Sequence, residues 1–180
     1  MWSDPSLFRV FNEIARNLIA DRKDDLWTSA RTLALLNTAI ADSYVAVFDA
    51  KYHYQFWRPT MAIRGADTDA NEKTTADPSW LPMLATPPFP EYPSGHSGAC
   101  GSAQVVLESA FGRNTPFIAT SALLPGSTRK YNSFDEASRE CIEGRMFAGA
   151  HFRFSDEDAN YLGQHVGRYV LRTTLVPYSH

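Results

Sequence analysis

The chain has 180 residues, with 17 Lys+Arg, 20 Asp+Glu, 5 His and 2 Cys, a net charge of −3 and 44% hydrophobic residues. A chain of this size buries about 70% of its unfolded surface in a single globular core and needs no covalent staples. Two cysteines exclude a disulfide framework and a Cys-rich zinc module, the absence of a basic stripe argues against nucleic acid, and 13% aromatic residues exclude disorder.

Residues 1–20 carry Asp4 and Glu13 and end without a small-residue cleavage site, so no signal peptide is read in this chain. The compartment stays unassigned. Residues 5–22 predict a first helix, because Phe8, Phe11, Ile14, Ala15 and Leu18 recur at spacings of three and four. The chain opens almost directly into this helix, as though Met1 were a cut inside a longer protein. Residues 25–50 predict a second helix about 39 Å long. Its stripe is Leu33, Leu36, Ile40, Tyr44 and Val47, widened nearly all round by Trp27, Ala30, Ala34, Ala39 and Ala41. Such a helix is expected in the middle of a bundle. Its most apolar run, Leu33 to Ile40, is broken by Asn37 and Thr38, so no membrane span is expected.

Six of the 11 prolines then fall between Pro78 and Pro93, a density that no helix interior or central strand tolerates. A loop this long in a small domain is usually functional. Helical signal resumes directly after Pro93-Ser94-Gly95-His96 and closes at Gly112. Residues 113–132 read as loop. Ser133 and Glu136 form a capping-box pattern for a helix over 134–152. Ser155 reads as the cap of a last helix that runs to about Leu175, with Asp156, Glu157 and Asp158 in its first turn and Pro177 after it. The expected fold class is all-α, a helical bundle with a long Pro-rich active-site loop, in one domain over 1–180.

Three separated segments carry chemistry. Lys51 and Arg58 are seven residues apart and on a continuing helix would share a face, about 10.5 Å apart along the axis. Taken alone they are two surface charges. Ser94-Gly95-His96 opens a helix, where outward-pointing amides favour an oxyanion, glycine permits close approach, and histidine moves protons near neutral pH. Taken alone it is a capped helix with an incidental histidine. Arg145 and His151, six apart, would lie about 9 Å apart axially and about 120° around a helix, an offset that Gly149 could relax. Together these residues fit one task, which is to hold a tetrahedral or trigonal-bipyramidal oxyanion between two histidines.

K-x6-R-P, P-S-G-H and R-x5-H, in that order, resemble the signature of the vanadium-dependent haloperoxidase and type 2 phosphatidic-acid phosphatase superfamily. The surrounding DAKYHYQFWRPTMAIR, TPPFPEYPSGHS and GAHFRFSDEDA look like bacterial haloperoxidase-type members. The resemblance covers nearly the whole chain and corresponds to the C-terminal, active-site half of such enzymes. Such enzymes carry a further helical bundle before this region, so the chain is expected to correspond to the family without its N-terminal bundle. The resemblance implies vanadate or phosphate oxygens bound by Lys51, Arg58, Ser94, Gly95 and Arg145. His151 is implied as the vanadium ligand, or as the phosphorylated nucleophile of a phosphatase, and His96 as the acid–base residue. Phe48 and Phe89 match aromatic positions of the halide pocket. The implied activity is oxidation of halide by hydrogen peroxide, with vanadate as a Lewis acid that changes no oxidation state.

Two departures stand out. Gly144 replaces a serine common before the arginine of the third motif. Ser155 occupies the place, four after His151, where many phosphatases carry an aspartate, and Asp156 and Asp158 are close by. The acid that orients His151 is left open, as is any pairing of Cys100 with Cys141. His53, His165 and the terminal His180 read as structural or surface residues, and no zinc pattern is present. The alternatives are a phosphomonoesterase acting on phosphate esters through a phosphohistidine, and a truncated, non-catalytic helical module that needs a partner or forms a homo-oligomer.

Overall fold

The computed structural model describes residue 2 and residues 7–121 and 125–176. Met1, Asp4, the first two residues of the helix expected over 5–22, Pro177 and His180 lie outside the described residues. The first helix, α1 (Leu7–Arg22), buries Leu7, Val10, Phe11, Ile14 and Ala15, the spacing its sequence predicts. The second, α2 (Leu26–Tyr54), starts where Asp25 accepts a hydrogen bond from the Thr28 amide at 2.9 Å. It runs one turn further than periodicity predicts and carries Lys51 in its last turn. Gln55, in the left-handed region at φ 47°, ends it.

Helix α2 is less buried than expected. Leu36, Ala39, Ile40 and Val47 face the core, but Ala30, Ala34 and Ala41 are exposed and Trp27 is 83% exposed. Alanine favours helix whatever it faces, so it misleads as a sign of burial. A window within Leu26–Arg64 reaches a mean hydropathy of 1.3, long and apolar enough by composition to cross a membrane, which the count of uninterrupted apolar residues does not reveal. Here α2 packs against α1 and two later helices, as a bundle helix does.

The middle position belongs to α4 (Gly95–Phe111), which follows the short α3 (Pro59–Arg64) and the Pro-rich loop. Helix α4 buries every residue from Ser97 to Gln104, and Val106 and Leu107 beyond them. Residues 113–132 are not all loop, because Phe117–Thr120 (β1) pairs antiparallel with Thr128–Tyr131 (β2), Phe117 opposite Tyr131. Four-residue strands give too little alternation to be read from sequence. Phe117 and Tyr131 cover one end of the core together with Trp2 and Phe134.

Helix α5 (Phe134–Phe147) has the predicted cap, with Ser133 accepting from the Glu136 amide at 3.1 Å, but ends five residues early. Gly149 turns the chain at φ 71°, where an added Cβ would also strike Trp80. Helix α6 (Arg153–Thr173) starts two residues before Ser155, which is buried in its first turn and is not the cap. The cap position is Phe152, without a side-chain bond. Helices α4 and α6 form the most extensive contact of the molecule. They approach so closely that a Cβ on Gly101 or Gly163 would overlap the backbone of the facing helix. Cys100 and Cys141 are disulfide-bonded and tie α4 to α5.

Candidate functional site

The three sequence segments converge at one end of the bundle. Lys51 and Arg58 do not share a helix face. The chain leaves α2 at Gln55, and Arg58 is the cap residue of α3 with Pro59 at its first position. They meet instead through the Pro-rich loop. Lys51 Nζ donates to the Pro90 and Glu91 carbonyls at 3.0 and 2.8 Å. The Arg58 guanidinium donates to the Phe89 carbonyl at 3.2 Å from Nη2 and to the Ala150 carbonyl at 2.8 Å from Nη1. Both cations lie 5.3 Å from the centre of the Phe89 ring. The prolines make this possible, because a loop that forms few ladder bonds leaves its carbonyls for buried cations.

Arg145, in the last turn of α5, completes the set. Its Nη1 donates to the Trp2 carbonyl at 3.5 Å, while its buried Nε has no hydrogen-bond partner. Lys51, Arg58 and Arg145 are at most 4% exposed. Burial pulls the Lys51 ammonium down to about 7 and Arg58 to about 10, with neighbouring cations adding to it. Arg145 is also lowered, chiefly by burial.

Ser94 caps α4 by accepting from the Ser97 amide at 3.4 Å. Gly95 and His96 follow in the first turn and line a cavity of about 570 Å³ together with Arg145, His151, Phe48 and Phe89. Lys51, Arg58 and Ser94 lie behind that lining, buried. His151 is no longer on a helix with Arg145, because the turn at Gly149 brings it back beneath the arginine's helix end. Its Nε2 lies 3.4 Å from Arg58 Nη1 and its Nδ1 lies 2.7 Å from Glu91 Oε1. Burial and the surrounding cations hold the His151 pKa well below the ordinary histidine value, which favours the neutral ring.

Sequence reasoning missed Glu91. It is fully buried, accepts from the Phe152 amide at 3.1 Å, and is held above the usual carboxylate range by burial. The one signal for it was an acid in an otherwise apolar run of prolines and aromatics, five residues before His96. The neighbouring acids do other work. Asp156 accepts from the Ser97 hydroxyl at 2.7 Å, and burial lifts it to about 7 against the pull of the Ser94 and Ser97 hydroxyls. Asp158 accepts from the Tyr92 hydroxyl at 3.1 Å. His53 and His165 are exposed and pack edge-on or tilted against the rings of Tyr54 and Tyr161, away from the cavity lining. Among the described residues no cluster of three His, Cys, Asp or Glu side chains could hold a metal cation.

With three buried cations against two buried acids whose ionisation burial opposes, the pocket carries a positive surplus. Such a surplus is relieved by an anion. Arg145 Nε, buried without a partner, is a donor left for one. The donor set of guanidiniums, an ammonium, helix-start amides and a neutral imidazole suits a small oxyanion such as vanadate or phosphate.

Residues 31–177 match the model of the VCPO second helical-bundle domain. The chain is 32% identical over 108 residues to the vanadium chloroperoxidase of Curvularia inaequalis, a match that takes in 49% of this chain and 17% of that protein. It superposes on a bacterial vanadium-dependent iodoperoxidase with a TM-score of 0.82 and 31% identity, over 92% of this chain and 38% of the other. The holo form of a bacterial vanadium-dependent chloroperoxidase shares the fold, with a TM-score of 0.67 and 18% identity over 92% and 44% of the two chains. The chain thus spans less than half the length of each of these relatives.

Proposed function

This chain belongs to the family of the VCPO second helical-bundle domain, and from that premise we propose that it provides the vanadate pocket of a haloperoxidase-type oxidoreductase that oxidises halide with hydrogen peroxide. The observation that carries the reading is the positive surplus around one cavity, with Lys51, Arg58 and Arg145 buried together and Arg145 Nε without a partner. Arg58, Arg145 and Lys51 would neutralise the oxygens of the anion, and the Gly95 amide would add a hydrogen bond at the start of α4. His151 would hold the central atom. When bound, vanadate supplies a Lewis-acid centre that makes peroxide electrophilic toward halide.

The protein side chains have their own tasks. His96, which lines the cavity, would take a proton from an incoming peroxide and return it to the product. Phe48 and Phe89, with ring centres 5.2 Å apart, form an apolar wall that excludes water from the reacting face. Their apolar surface leaves a halide poorly solvated and so more nucleophilic. Ser94 serves the site through the cap of α4, and the Ser97 hydroxyl, bonded to Asp156, ties that helix start to α6.

The test is isothermal titration of orthovanadate into the chain, followed by halide oxidation with peroxide, beside hydrolysis of a phosphate ester without vanadate. The reading expects one vanadate site, peroxide-dependent halide oxidation, and loss of both in His151→Ala. Ester hydrolysis without vanadate, in the absence of halide oxidation, would give the function to a phosphomonoesterase instead. Titration without any binding would reduce the chain to a helical module that lacks the chemistry.

A further inference from the structure

The position from which an acid would orient His151, four residues further along, is occupied by Ser155, whose backbone carbonyl accepts from the Ser94 amide at 3.2 Å. The acid comes from the Pro-rich loop. We propose that Glu91 is a positioning residue that holds the imidazole proton of His151 on Nδ1 and so turns the Nε2 lone pair toward the cavity.

Arg58 Nη1 lies 3.4 Å from His151 Nε2, and a guanidinium nitrogen can only donate. Nε2 is therefore the acceptor and bears no proton. An imidazole without a proton on Nε2 carries it on Nδ1, and here Nδ1 faces Glu91 Oε1 at 2.7 Å and donates to it. The same oxygen accepts from the Phe152 amide at 3.1 Å, so the carboxylate is fixed by the residue that follows the histidine it orients.

Glu91 is itself held from both sides. Its amide donates to the Phe56 carbonyl at 3.0 Å, and its carbonyl accepts from Lys51 Nζ at 2.8 Å. With the opposite tautomer, an N–H would face both the Arg58 guanidinium and the cavity, and no lone pair would be available to an electrophilic centre. A hydrogen-bond partner on the far nitrogen is the usual device for selecting the ligating nitrogen of a histidine. The proposal rests on the vanadate-pocket reading for its purpose, but the tautomer itself is a property of the anion-free chain.

Two-bond proton–nitrogen NMR of the imidazole rings tests it, with the His151 signals identified by their loss in His151→Ala. The full chain without anion is expected to show the Nδ1–H tautomer. Glu91→Gln keeps a carbonyl acceptor and is expected to retain that pattern. Glu91→Leu removes the acceptor and is expected to give a mixture containing Nε2–H, with orthovanadate affinity about 10- to 100-fold weaker. A wild-type ring protonated on Nε2 would overturn the assignment, as would a Glu91→Leu ring that stays wholly Nδ1–H with unchanged affinity. Should Glu91→Leu fail to fold, the wild-type spectrum decides, and a ring protonated on Nε2 overturns the assignment. A wild-type chain with the Nδ1–H tautomer but no vanadate binding would support the Glu91 assignment while overturning the functional reading.

Discussion

Lys51 and Asp156, buried behind the cavity lining, are two side chains that burial poises near neutrality, both at about 7. For each, rising pH works against a bound anion. Lys51 loses its positive charge above that value, and Asp156 gains a negative one. Sulfate, whose own charge is constant across the neutral range, isolates this effect. Its affinity is expected to fall as pH rises through about 7, by up to tenfold per pH unit for each group titrating. Lys51→Arg keeps a cation at all these values and should flatten the curve, as isothermal titration would read directly. An affinity for sulfate that is constant between pH 6 and 8 would contradict the poised-cation account. At this scale the sequence was informative about identity and silent about support. Lys51, Arg58, Ser94, Gly95, His96, Arg145 and His151 are all legible from their motifs. Glu91 is not, because its work depends on a contact across 60 residues that no local spacing encodes.

The elements hold the site in place through two devices. One is the close approach of α4 and α6. Gly163→Ala would drive a Cβ into the Gly98 carbonyl, and nothing flexible stands there to yield. A loss of about 3 kcal/mol or more is expected in urea unfolding. Gly144→Ala meets only the Trp2 side chain at 3.7 Å and should be neutral or stabilising by up to about 1 kcal/mol. Equal effects for the two would mean that glycine entropy, not close packing, sets the cost. The other device is the Cys100–Cys141 disulfide, which joins the helix of His96 to the helix of Arg145 across 41 residues of sequence. Closing a loop of that length is worth up to about 4 kcal/mol. Replacing both cysteines by serine should lower stability by about 2–4 kcal/mol and weaken vanadate binding, whereas unchanged affinity would show that packing alone sets the two helices. Helix existence was legible here, since long periodic segments such as α1, α4 and α6 announce themselves. Helix ends were not. The turn at Gly149 and the start of α6 before Ser155 answer to tertiary demands, bringing His151 beneath Arg145 and burying Ser155 against the loop.

At the scale of the whole molecule, a mildly acidic protein concentrates positive charge in its interior. The net charge is −3, yet Lys51, Arg58 and Arg145 are buried around one cavity. Burying three cations opposes folding unless something returns the lost solvation, and here loop carbonyls return part of it. The remainder is the driving force for taking up an anion, so the fold and the chemistry share one origin. The most direct measurement is a crystal structure of the chain grown with orthovanadate. The account predicts vanadium density bonded to Nε2 of His151 between that ring and His96, with its oxygens on Arg58 and Arg145. Vanadate bound elsewhere, or a cavity holding only water at saturating orthovanadate, would contradict it.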